Sequence, residues 1–246
     1  MGNNKMVAVW GSTGGGKTTT SIKVAKELAA SKKNVIVVLC DDETPSLPLL
    51  LPNAVNYESL GDLLSQPTIT QLDVLKHCIP YGNNRYISLL GYKLGDNEVS
   101  YSEYSVKRAK ELYALLRRTA DCVIVDCSHH LLSNVLTATA LEMSDCVLKV
   151  INADIKSSIY IKSQKMLLQG TQFKYDKQIN VLNNVFPVQD ISPYSEALGG
   201  VSYTLPHLPG LKEQYDSGLL LDSLFGRDAK KYEPVVKELV QEVFDG

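Results

Sequence analysis

The chain has 246 residues, a formal net charge of −2, 44% hydrophobic and 21% charged residues, the proportions of an ordinary globular protein. That length suits one large α/β domain over residues 1–246 and supplies a sizeable core without covalent staples. The charge balance excludes an overall basic nucleic-acid footprint, and no apolar run is long enough to span a bilayer.

Five cysteines, Cys40, Cys78, Cys122, Cys127 and Cys146, show no CxxC or Cys/His metal spacing, so buried reduced thiols are expected. The first residues hold no apolar signal core. Met6 stands where a myristoylation motif wants Ser or Thr. A soluble, cytoplasmic protein is the expectation.

Residues 6–10 read as a buried strand and 18–30 as a helix, with Ile22, Ala25, Leu28 and Ala29 on one face. A second apolar strand covers 35–40, followed by a proline-bearing loop at 41–52. Short helical pieces at 60–64 and 72–77 precede a strand at 86–90 and a polar turn at 91–100. Residues 103–118 form a strong helix pattern, with Val106, Ala109, Leu112, Leu115 and Leu116 in register. Strands at 122–125, 146–151, 179–183 and 203–206 alternate with helices at 135–143 and 159–168 and a loop at 186–200. A helix at 229–244 ends the chain. Continuous rather than alternating apolar strands mean coverage on both faces, and strand–helix alternation implies right-handed crossovers. The fold class expected is a single doubly wound, mostly parallel sheet of the P-loop NTPase kind.

Gly11-Ser12-Thr13-Gly14-Gly15-Gly16-Lys17-Thr18 fits G-x-x-x-x-G-K-[ST], between a predicted strand and a predicted helix. Glycines let successive backbone N–H groups face one anion, and the helix N-terminus adds partial positive charge. Lys17 is expected to reach the β- and γ-phosphates, and the Thr18 hydroxyl to ligate Mg2+. Ligands of open α/β sheets sit outside the carboxyl ends of strands, where two acidic ends occur. Cys122-Val-Ile-Val-Asp126 is a Walker B pattern, with Asp126 expected to support Mg2+. Val37-Val-Leu-Cys-Asp41-Asp42-Glu43 ends in three acids, of which Asp41 is expected to orient the attacking water.

These residues resemble the ParA/MinD family of deviant Walker ATPases over most of the chain. The likeness rests on Gly14-Gly15-Gly16-Lys17-Thr18-Thr19, the strand ending at Asp41, Asp126, Ser144-Asp-Cys-Val-Leu, and Val181-Leu-Asn183-Asn184. The resemblance implies an ATP-binding, magnesium-dependent ATPase (a hydrolase) that positions or assembles a cellular machine, a pilus or secretion apparatus or a DNA-partition system. It places Gly14, Gly15, Gly16, Lys17, Thr18 and Thr19 on the nucleotide, Asn183 on the base, and Leu205-Pro206 beside adenine. The guanine-specific pattern Asn-Lys-x-Asp is absent after Asn183, which favours adenine. The family's early loop lysine, which reaches across an ATP-sandwiched homodimer, is replaced by Ser12, and Thr13 replaces the first paired glycine. Charge supplied in trans is worth about 10³–10⁵ in rate in related enzymes, so slow hydrolysis is expected. Lys5 and Lys23 are the nearest substitutes. Altered loops of this kind resemble the TadZ/CpaE branch.

The tail helix carries Tyr232, Val235, Val236, Leu239, Val240 and Val243 on one face and mixed charges on the other, which fits packing on the domain better than a membrane surface. Lys107, Arg108, Lys110, Arg117 and Arg118 on one helix pose DNA phosphates against a plain solvated face. His129 and His130 read as part of a nucleotide-sensing switch, since no third metal ligand is spaced nearby. The partners expected are ATP or ADP and a protein of an assembly or partition system. A non-hydrolysing nucleotide-binding adaptor and a metabolic P-loop ligase or kinase are the competing readings.

Overall fold

The computed structural model describes residues 4–54, 56–81, 84–173 and 178–245. Its strands are β1 (Lys5–Trp10), β2 (Val35–Leu39), β3 (Ile79–Tyr81), β4 (Asn84–Gly91), β5 (Cys122–Asp126), β6 (Cys146–Asn152), β7 (Gln178–Val185) and β8 (Tyr203–Pro206). The helices are α1 (Lys17–Ala30), α2 (Leu47–Leu50), α3 (Leu60–Leu64), α4 (Gln71–His77), α5 (Val106–Thr119), α6 (Val135–Met143), α7 (Ile155–Gln164), α8 (Ser192–Leu198), α9 (Pro209–Asp216) and α10 (Gly226–Val240), the last running into a π-turn, Gln241–Asp245.

One eight-stranded sheet runs β3-β4-β2-β5-β1-β6-β7-β8. Every pairing is parallel except that of the edge strand β3 with β4. The side chains of β1 divide between two cores. Met6, Ala8 and Trp10 face a layer containing Leu60, Leu112, Tyr113, Leu136 and Ile161. Val7 and Val9 face a layer containing Ile22, Leu28, Leu205, Tyr232 and Val236. All of β1 from Met6 to Trp10 and all of β5 are buried, which is why these strands read as unbroken apolar runs rather than alternating ones. The expected doubly wound α/β sheet is therefore present.

The differences from expectation fall in short or exposed pieces. The loop expected at 186–200 contains α8, started by Pro193 in its first turn and stopped by Gly199 at φ 81°. A proline at a helix start and a glycine just past its end are compatible with a short helix that has little apolar periodicity. The helix expected at 159–168 begins earlier, at Ile155, where Asp154 caps it by accepting a hydrogen bond from the Ser157 amide. Edge strand β3 contains Pro80, a residue confined to edges or bulges because it cannot donate to an interior ladder.

The tail helix packs on the domain, with Tyr232, Val236, Leu239 and Val240 buried in the core shared with α1. The basic residues of α5 are largely engaged within the chain. Arg108 donates to the Pro67 carbonyl, Lys110 pairs with Glu142, and Arg117 binds Asp145 together with the carbonyls of Asn4 and Met143. The five cysteines are all unbridged.

Lys23 on α1 is buried, and its Nζ donates to Gln214 Oε1, Leu220 O and Asp222 O at 2.6, 2.9 and 3.0 Å. Burial pulls its pKa down to about 7, while three oxygens match the three N–H bonds of an ammonium. It anchors the 217–224 turn to the sheet-covering helix. Lys23→Met keeps the aliphatic stem and orphans these acceptors, so chemical denaturation should show a loss of about 2 kcal/mol. An unchanged or raised stability would mean that burying the ammonium outweighs its three bonds.

Candidate functional site

The loop between β1 and α1 lies at the carboxyl end of the central strand. Close packing shapes it. A Cβ on Gly11 would lie 1.7 Å from the Val150 carbonyl oxygen of β6, so only glycine lets the loop leave β1 beside its neighbour. Gly16 sits at φ 92° directly before α1, and a Cβ there would stand 2.0 Å from Asn183 Nδ2. The loop is thus held in contact with two strand ends on its far side. Asn183, ending the β6–β7 register opposite Asn152, donates to Gly15 O at 3.1 Å, and Asn152 donates to Gly14 O at 2.8 Å. Sequence reasoning named Asn183 but missed Asn152, whose only signal is that it ends a buried strand.

Lys17 folds back so that its Nζ donates to the Ser12 carbonyl at 3.1 Å. Burial lowers its pKa, opposed by the charges of Asp126 and Asp41. Thr18 Oγ1 donates to Asp126 Oδ2 at 2.6 Å, and Ser21 Oγ to Oδ1 at 3.3 Å. Asp126 reaches this position because β5 lies between β1 and β2, with Val9 and Leu39 as its register partners. Burial pushes its carboxyl up to about 6, against the pull of Thr18, Lys17 and Ser21. A lysine and a hydroxyl adjacent in sequence thus converge with a buried carboxylate from more than a hundred residues away beneath one glycine-rich loop. That donor set suits a hard divalent cation and an anion above it.

Asp41 stands two residues beyond the end of β2, not on it. Its Oδ1 accepts from the amides of Glu43 and Thr44 at 3.2 and 2.9 Å. Asp42 accepts from Asn134 Nδ2 at 3.1 Å, and burial raises its pKa. Asn134 also donates to the Cys40 carbonyl and caps α6, so it ties the loop after β2 to the loop after β5. In the second loop, Tyr160 donates to the His129 carbonyl. The two imidazoles lie 3.9 Å apart, centre to centre, and burial lowers the pKa of His129 first, with His130 and Lys17 adding to it.

Pro206 ends β8 opposite Val185, and the next residue, His207, stacks on Phe186 at 4.1 Å and hydrogen-bonds Asn184 through Nδ1. This aromatic pair beside Asn183 and Pro206 gave no sequence signal. Ser12, at the position of the family lysine, is 3% exposed, and its hydroxyl donates to Ser157 Oγ of α7 at 2.8 Å. The suggested substitutes do not reach the loop. Lys23 is turned into the α9–α10 side as described, and Lys5 at the start of β1 donates to Val243 O.

Gly16→Ala should destabilise the protein by about 1–3 kcal/mol, because it adds left-handed strain to a collision with Asn183. Asn183→Ala removes the colliding atom, so the double variant should be more stable than the sum predicts by about 0.5 kcal/mol or more. Strict additivity in denaturant melts would show that the two residues do not press on one another.

No protein-family model matches the sequence, and no curated protein matches it. The fold is shared with solved structures along nearly the whole chain. A ParA family ATPase from Chlorobium tepidum has a TM-score of 0.77 at 16% identity, covering 97% of this chain and 98% of that one. The septum site-determining protein MinD of Pyrococcus horikoshii, complexed with Mg-ADP, gives 0.71 at 17%, covering 97% and 95%. A McdA–ATP complex from Cyanothece gives 0.73 at 17%, covering 100% and 98%. The architecture is thus that of the MinD and ParA ATPases.

Proposed function

We propose that this chain is a ParA/MinD-like ATPase, a magnesium-dependent ATP-binding switch that hydrolyses slowly and serves in positioning or assembling a larger machine. The observation that carries the reading is the Thr18–Asp126 hydrogen bond beneath the glycine-rich loop, with Lys17 folded over it. Glycine loops are common in turns, but here the loop is matched by a buried acid from a strand more than a hundred residues away. The nucleotide and Mg2+ complexes of proteins with this fold support the same ligands here.

In this reading Gly14, Gly15, Gly16 and Thr19 offer backbone and helix-end dipoles to the phosphates. Lys17 leaves the Ser12 carbonyl to neutralise them, and Thr18 and Asp126 hold Mg2+. Magnesium supplies charge neutralisation of the phosphates. Asp41 orients water from the loop after β2, after exchanging its turn-forming bonds for that role. Asn183 and Pro206 frame the adenine beside the His207–Phe186 pair. Lys17→Ala should abolish magnesium-ATP binding in calorimetry with an unchanged circular dichroism spectrum, since its hydrogen bond within the chain is to a loop carbonyl and Thr18 and Ser21 still bond Asp126. Unchanged affinity would overturn the reading.

Slow turnover follows from Ser12. Its hydroxyl is short, uncharged and committed to Ser157 inside the chain, so it offers no charge to a second copy. Phosphate release should be slow, and light scattering should find little dimer that depends on ATP rather than ADP. Brisk hydrolysis by a tight ATP-dependent dimer would mean that another cation has taken the lysine's role. The same burial of Ser12 favours, as second reading, an adaptor that binds nucleotide without turnover. That reading predicts ATP affinity with no phosphate release under any partner condition.

A further inference from the structure

Beyond the nucleotide site, the loops after β2 and β5 bring one glutamate together with two adjacent histidines that follow it by more than eighty positions. We propose that Glu43, His129 and His130 form a binding site for a divalent transition-metal ion of the zinc class, distinct from the Thr18–Asp126 position.

Among the described residues, these three form the group of His, Cys, Asp or Glu side chains whose donor atoms all lie within 4.8 Å of one another. His130 Nε2 stands 2.7 Å from Glu43 Oε1, and the two rings are 3.9 Å apart between centres. Adjacent histidines in an extended strand would point to opposite sides. Here both rings sit on one side, because the chain after β5 turns, with Ser128 Oγ accepting from the His130 amide and Tyr160 held on the His129 carbonyl.

Two imidazole nitrogens and one carboxylate oxygen are the donor set of three-ligand zinc sites, which keep a further position for water. Mg2+ prefers oxygen donors alone, so the two ions sort themselves between the two sites. All three side chains are partly exposed, while the His130 Nε2 atom itself is covered where it meets Glu43. The small adjustment to the spacing of a shared ion falls on side chains, because the backbones are already tied. Asn134 bridges Cys40 and Asp42 on one loop to α6 behind the other, and Thr137 Oγ1 accepts from the Ser128 amide. An ion here cross-links the loop that carries Asp41 and Asp42 to the loop that follows Asp126. The site acts as a clasp between the two segments flanking the phosphate loop. It stands on its own donor geometry and does not depend on nucleotide binding.

Other arrangements fit less well. A Glu43–His130 ion pair accounts for two of the side chains and leaves the second imidazole packed against the first at a 42° tilt without a hydrogen-bonding role of its own in the pair. An anion in the same place would face the Glu43 carboxylate.

The test uses the full chain, stripped with chelator and free of nucleotide. Titration with Zn2+ in the calorimeter should show one ion per chain, undisturbed by millimolar Mg2+, and Co2+ should give the visible bands of a four- or five-coordinate ion. His129→Ala and His130→Ala should each weaken Zn2+ at least about tenfold, and Glu43→Gln should also weaken it. Wild-type protein supplies a check that needs no variant: Zn2+ should protect His129 and His130, but not His207, from carbethoxylation mapped by peptide mass. No stoichiometric uptake overturns the proposal, leaving a Glu43–His130 ion pair only. Uptake that survives both histidine variants, or equal labelling with and without Zn2+, overturns it as well and moves the ion to other side chains.

Discussion

The hydrogen bond from Thr18 Oγ1 to Asp126 Oδ2 joins the first turn of α1 to the end of β5, and the rest of the carboxyl edge is arranged around it. For that contact to form, β5 must lie directly beside β1, as its parallel pairing with that strand places it. Asp126 is buried, and a buried carboxylate is costly unless hydrogen-bonded. Thr18 and Ser21 supply those bonds from one helix face, three residues apart, while Lys17 supplies opposite charge. The interior therefore tolerates an acid at the centre of its sheet only where the loop and helix above it are already correctly placed.

Much of this was legible because the signals are local and strong. The buried strands β1, β2 and β5 carry unbroken apolar runs, β6 is broken only by Lys149, and the glycine-rich loop is bounded by a strand and a helix in the order that phosphate loops require. Asp126 could be read because four apolar residues lead straight into it. The illegible parts depend on contacts across long separations. The loop after β2 finds Asn134, and Glu43 finds His129 and His130, through strand adjacency that no spacing encodes. The reading of the histidines as lacking a third ligand looked along the chain, where there is none, whereas the sheet brings Glu43 from across it. Lys23 looked like a cation near the loop because it is six residues from Lys17. The helical turn carries it around to the opposite face, where it holds carbonyls of the 217–224 turn.

Side-chain direction also separates this loop from the family pattern it resembles. Ser12 is more than a missing charge, because its hydroxyl is part of the packing between the loop and α7. A long cation placed there has to leave the interior and vacate its bond to Ser157. The exchange at this position thus involves two residues on two elements, and the helix that follows β6 is adapted to the shorter side chain.

The placement of β1 at the middle of the sheet has a consequence for how the chain is made. This strand is synthesised well ahead of its two neighbours, β5 and β6, which emerge only after more than a hundred further residues. Until then both edges of a strand that is apolar from Met6 to Trp10 lack their ladder partners, and exposed edges of that kind are templates for association between chains. The loop that follows β1 cannot take its shape in the nascent chain either, since Val150, Asn152 and Asn183 hold it from the far side. Its closure is a late event on the ribosome, set by the emergence of β7. Such long-range pairing places the protein among slowly forming parallel topologies, so its yield in a cell depends on what shields β1 while translation proceeds.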